Sequence, residues 1–106
     1  MTAEGPLTDD ELTAIERRAA AAAPGPWKAH LEGQGIGGES FIQVRPDADP
    51  DDEIYVRRYV GNAELGSRHP ELHADLEFIA SARSDVPRLV AEVRRLQGAL
   101  ARQRRW

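Results

Sequence analysis

Pro24-Gly25-Pro26-Trp27-Lys28-Ala29-His30-Leu31-Glu32 is the stretch where the hydrophobic period of the chain changes, and with it the fold class. Upstream, Leu12, Ile15, Ala19 and Ala22 recur at the three-to-four spacing of a helix face. From Trp27 onward Trp27, Ala29 and Leu31 alternate with Lys28, His30 and Glu32, the period of a half-buried strand. Between them the two prolines cannot continue a helical hydrogen-bond ladder, and the glycine tolerates the reversal. A helix followed directly by strands predicts an α+β chain.

Working outward, Thr8-Asp9-Asp10-Glu11 reads as a capping box. The Thr8 hydroxyl can accept from the Glu11 backbone N–H while the Glu11 carboxylate reaches back to that of Thr8. Leu7 and Leu12 flank it as a staple, and a helix over about 8 to 23 follows. On the other side, the glycine-rich segment 33–38 turns the chain, with Gly37 and Gly38 expected to supply positive φ. Phe41 to Val44 reads as a second strand, 47–53 as an acidic loop, Ile54 to Val60 as a third strand, and 61–68 as irregular chain. Short connections make this a three-stranded antiparallel meander.

Pro70 suits a helix start, with Leu72, Leu76, Ile79 and Ala82 as the apolar face and Phe78 beside it. Ser84-Asp85 offers a fresh N-cap and Pro87 a first-turn proline, which predicts a break near Ser84 and two C-terminal helices. In the last, Val86, Leu89, Val93, Leu96 and Leu100 are spaced as a coiled-coil seam with Val90 alongside, although only about two heptads are present and Gly98 loosens the end. The expected architecture is an N-terminal helix, a three-stranded meander and two C-terminal helices on one face of the sheet, the last amphipathic and coiled-coil-like. It forms a single domain over 1–106, with 1–6 flexible, 7–83 as an α/β body and 84–106 as the amphipathic helix.

The 106 residues suffice for one modest core. No apolar run approaches the ~18 residues of a membrane span, so no membrane partner is expected. The absence of cysteine rules out disulfides, thiolate zinc and thiol catalysis. Residues 1–10 lack the basic start and apolar stretch of a secretory signal, so the expected location is the cytoplasm. The net charge of −4 is uneven: residues 83–106 carry +5, which leaves −9 on the remainder. A basic tail on an acidic body suits either phosphate contact or charge pairing within or between chains.

Several strings invite chemistry, and each has a plainer account. Gly33-x-Gly35-x-x-Gly38 matches a dinucleotide fingerprint, but a strand follows it where a helix is required. His69 and His73 share a helix face at metal-ligand spacing with no third ligand at a recognisable offset, so they are weak metal candidates and solvated helix-start histidines otherwise. Asp47, Asp49 and Asp51 open like a calcium loop, but Asp52 and Arg58 stand where that loop needs Gly and Glu. Ser40, Ser67, Ser81 and Ser84 lie in no nucleophile-elbow motif, so no catalytic residues are assigned, no cofactor is expected and the chain reads as non-enzymatic. Arg94, Arg95, Arg102, Arg104 and Arg105, with Trp106 for stacking, offer a nucleic-acid contact. Trp27 reads as a seal on the core edge, with ligand stacking as the sharper alternative.

Two stretches in combination resemble a known group. They are Leu7 to Leu12 running on to Pro24-Gly25-Pro26-Trp27, and Asp75-Leu76-Glu77-Phe78-Ile79-Ala80-Ser81-Ala82-Arg83-Ser84-Asp85-Val86-Pro87 leading into Leu89 and Val93-Arg94-Arg95-Leu96. The chain resembles small uncharacterised proteins encoded by actinobacteria and their phages, similar to the Ead-type phage accessory proteins. The resemblance covers both ends and leaves 28–70 unmatched. It implies a mobile-element lineage and carries over no catalytic residue.

The sequence therefore predicts a non-catalytic interaction or accessory module. It would form a homodimer, or meet a helical protein partner, through Val86, Leu89, Val93, Leu96 and Leu100. Nucleic-acid binding through the arginine-rich helix is the second reading, and small-ligand or metal binding the third.

Overall fold

The structure is a computed structural model and describes residues 5–45 and 51–104. Its elements are α1 (Asp9–Ala21), β1 (Trp27–His30), β2 (Phe41–Val44), β3 (Glu53–Ile54), β4 (Tyr59–Val60), β5 (Ala63–Glu64) and α2 (Pro70–Gln103). The fold is α+β, as the change of period at Trp27 predicts. The chain divides into two compact units, 23–84 and 1–22 with 85–106, and α2 contributes residues to both.

In the first unit, β1 and β2 pair antiparallel with Trp27 opposite Val44 and His30 opposite Phe41, and β3 adds to β2 through Ile42 and Ile54. Alternation along these strands turns Leu31 and Ile42 inward, where they join Leu72, Leu76 and Ala80 of α2 in the core. Trp27, Ala29, Ile54, Val56 and Ile79 pack around that cluster. The Trp27 indole N–H donates to the Ala23 carbonyl at 3.2 Å, and Arg83 Nε donates to the same oxygen at 2.8 Å. The ring thus seals the core edge as the sequence suggests. Gly25 allows this closure, because a Cβ there would stand 3.1 Å from Arg83 Cγ.

The expected strand 54–60 is split. The β2 to β3 ladder ends at the Ile42 and Ile54 pair, and just before β2 the Ser40 N–H donates to Ser67 Oγ at 2.6 Å. Tyr59–Val60, from the expected third strand, then folds back as a separate hairpin on Ala63–Glu64, which lies in the segment expected to be irregular. Gly61, at φ +62°, holds the first turn position, where a side chain would be strained. In the 33–38 turn the positive φ values fall at Gly33 and Gly35, not at Gly37 and Gly38. Of the acidic loop, 46–50 lies outside the described residues, while Arg45 meets Asp52 at 2.6 Å across it.

In the second unit, α1 begins with the expected capping box: Glu11 N–H donates to Thr8 Oγ1 at 3.1 Å, and Thr8 N–H donates to Glu11 Oε1 at 2.8 Å. Leu12 and Val90 are its buried large apolar residues. The largest correction concerns the C-terminal part. There are two helices among the described residues, not three, because α2 runs unbroken from Pro70 to Gln103 with Pro87 inside it. An interior proline costs about 3 kcal/mol. Strong helix formers on both sides and the burial of Val90 oppose that cost, and Ser84 gives no break.

Candidate functional site

The five residues of the seam predicted along α2 share one face of the helix but differ in exposure, and Val90 beside them is buried. A helix turns 100° per residue, so Val90 is set off from Leu89 and Leu96 by more than a quarter turn. Val90 is 8% exposed, and Val86 and Val93 are half-buried. Leu89, Leu96 and Leu100 are 63%, 52% and 49% exposed and lie along one side of the helix. The sequence brought five residues together, and the structure divides them into an outward leucine row with two flanking valines.

Charged groups frame that row. Asp85, Arg88, Leu89 and Glu92, at relative positions 0, 3, 4 and 7, outline a shallow concavity on the helix surface. Those offsets are the four corners of a hole in knobs-into-holes packing. Glu92 and Arg95 pair at i and i+3, and the Arg95 guanidinium holds the Glu92 carboxyl below the usual carboxylate range. Among the described residues, Asp85, Arg88, Arg102 and Arg104 form no ion pair.

The arginines expected to contact nucleic acid are unequal. Arg94 donates to Glu16 at 2.8 Å and to Thr13 at 3.2 Å, and it also meets Asp9. Hydrogen bonds to Glu16 and then to Asp9 raise its pKa further, so its charge is committed within the unit. Arg95 is held by Glu92, whereas Arg102 and Arg104 are exposed. Arg105 and Trp106 lie outside the described residues.

The remaining candidates have structural employment. His69 Nδ1 accepts from the Glu71 N–H at 3.1 Å at the start of α2, and His73 Nε2 donates to the Ser67 carbonyl at 2.8 Å. Among the described residues no three His, Asp or Glu side chains are arranged to hold a metal. Ser40, 4% exposed, accepts from the Glu32 N–H at 2.8 Å and donates to the Ser67 carbonyl at 2.8 Å. His73 therefore binds the carbonyl of Ser67 and not its hydroxyl, so the pair lacks the nucleophile-to-base hydrogen bond that acyl transfer needs. The groove above this network, about 190 Å³, includes Glu39, Ser40, Arg57, Glu64 and Ser67 in its lining. It is smaller than the ~300 Å³ at which ligand pockets usually begin, and Arg57 is paired across it with Glu64 at 2.8 Å.

One feature is legible only in three dimensions. On the sheet face opposite the core, His30 stacks on Phe41 with centroids 4.9 Å apart, and Phe41 meets Tyr55 at 5.7 Å. The alternation marked His30 as outward, but the register that aligns the three rings is long-range.

No protein-family profile, curated protein or solved structure matches the chain. No helix among the described residues is long and apolar enough to cross a membrane.

Proposed function

We propose that this chain is a non-catalytic interaction module that self-associates through the C-terminal half of α2. The observation that carries the reading is the outward row of Leu89, Leu96 and Leu100 on a helix where Val90 and Arg94, more than a quarter turn away, are already engaged. Three leucines in line on one helix face are a costly surface to leave in water, since burying the roughly half of each that is exposed would contribute on the order of 1 kcal/mol apiece. An accessory role of this kind accords with the resemblance of both chain ends to phage-encoded accessory proteins.

The test is the molar mass in solution by light scattering and sedimentation at tens of micromolar, for the wild type and for Leu96→Asp. A dimer that becomes a folded monomer on substitution is the expected result. A strict wild-type monomer at those concentrations would sink the reading.

A further inference from the structure

We infer that α1 is a detachable strap over the C-terminal half of α2, latched by Arg94, and that it opens as a unit while residues 23–84 stay folded. This stands apart from self-association: it concerns what covers the valine side of α2, not what meets its leucine row.

The two units are stabilised unequally. In 23–84, Leu31, Ile42, Leu72, Leu76 and Ala80 form one buried cluster with Trp27 and Ile54 packed against it. In the other unit the strap rests on little apolar burial. Among the described residues, Leu12 is the buried residue of α1, and Val90 that of α2 beyond residue 85. Ile15, Val86 and Val93 are only half-buried. Segments with few buried apolar groups are the ones that open below the global unfolding transition.

Polar contacts supply much of the hold. Arg94 reaches Asp9, Thr13 and Glu16, three positions on one face of α1. Leu12 lies beside that face, and Val90 lies one turn before Arg94 on α2. A single guanidinium therefore pins two turns of the strap over Val90. Its groups remain open to water: the side chains of Arg94, Glu16 and Asp9 are 34%, 41% and 78% exposed. Dissolved salt can screen such a latch, whereas the apolar cluster of 23–84 offers it no charge to screen.

A joint lies where opening requires one. The Ala22 N–H closes α1 on the Arg18 carbonyl, and Ala22 itself is extended. The next residue is fixed within 23–84, because the Ala23 carbonyl accepts from both Trp27 Nε1 and Arg83 Nε. Opening can thus end between residues 22 and 23 without breaking a bond in the sheet unit. An open strap adds Val86, Val90 and Val93 to the exposed side of α2. The latch then sets how much apolar surface that helix shows, with ionic strength as its input.

The chain has no cysteine, so single-cysteine variants report opening without background. Val90→Cys reports the strap and Leu76→Cys the sheet unit, each treated in native buffer with excess aromatic disulfide reagent. Labelling should be at least about 100-fold faster at Val90→Cys than at Leu76→Cys. Raising the salt to about 1 M, or adding Arg94→Met, should speed the Val90→Cys reaction several-fold and leave the Leu76→Cys reaction within about twofold. Equal protection at the two positions would overturn the strap, since the chain would then open only as a whole. Fast labelling at Val90→Cys that neither salt nor Arg94→Met accelerates would overturn the latch.

Hydrogen exchange of the unsubstituted chain gives the same readout free of any effect of the cysteines. The backbone amides of Ile15 to Ala19 should exchange well before those of Leu76 to Ala80, and salt should widen the gap. Exchange of both segments at one common rate would overturn the inference.

Discussion

Arg94 Nη2 in α2 lies 2.8 Å from Glu16 Oε1 in α1, while Nη1 of the same guanidinium meets Asp9, so one cation joins two carboxylates seven residues apart on the other helix. Asp9, Thr13 and Glu16 share one face of α1 at four- and three-residue spacing. The planar, many-donor guanidinium suits such a site better than an ammonium would. Replacing Arg94 with Met or Lys should lower the melting temperature by several degrees in low salt and by less at 1 M salt, as followed by circular dichroism. Arg95→Ala removes only a pair between exposed groups of one helix and should leave the melting temperature nearly unchanged.

Continuity of α2 through Pro87 makes a signed prediction. If the proline sits inside a helix, Pro87→Ala should stabilise the protein by up to about 3 kcal/mol, measured by urea unfolding. Were Pro87 the first residue of a separate helix, the same change would be neutral or mildly destabilising.

Gly98→Ala tests the same helix nearer its end. An added Cβ meets nothing nearer than the Arg102 guanidinium at 3.6 Å, an ordinary contact. The expected gain is about 0.5–1 kcal/mol with no change in spectrum.

Ser40 ties three segments together by side-chain and backbone bonds to Glu32 and Ser67. Ser40→Ala leaves the Glu32 N–H and the Ser67 carbonyl each short of one partner and should cost about 1–3 kcal/mol. Leu76→Ala, at a fully buried position, should cost about 2–5 kcal/mol in the same urea assay.

The capping box has a pH signature. Hydrogen bonds from Thr8 hold the Glu11 carboxyl below its ordinary value, so folding favours its ionised form. The resulting stability is present above the unfolded value near ~4.3 and is lost as pH falls through the lowered one. A carboxyl NMR titration should show Glu11 depressed in the wild type and returned toward the ordinary value in Thr8→Ala. An unshifted Glu11 in the wild type would count against the box.

The sequence by itself determined the elements whose causes lie within four residues. The Thr8 and Glu11 cap, the stop at Pro24-Gly25-Pro26 and the alternation from Trp27 are local bonds and local sterics, and they stand where the residues put them. Which side of Tyr59 and Val60 finds a partner was not local. The β2 to β3 ladder stops at Ile42 and Ile54, and Tyr59 and Val60 pair instead with Glu64 and Ala63. The break expected at Ser84 failed for the same kind of reason, since a cap and a proline are weak signals against burial on both sides of them. The seam of α2 shows the division most clearly. Its spacing was plain in the sequence, but spacing fixes only which residues share a face. Only tertiary packing decided that Val90 turns inward and that Leu89, Leu96 and Leu100 face outward.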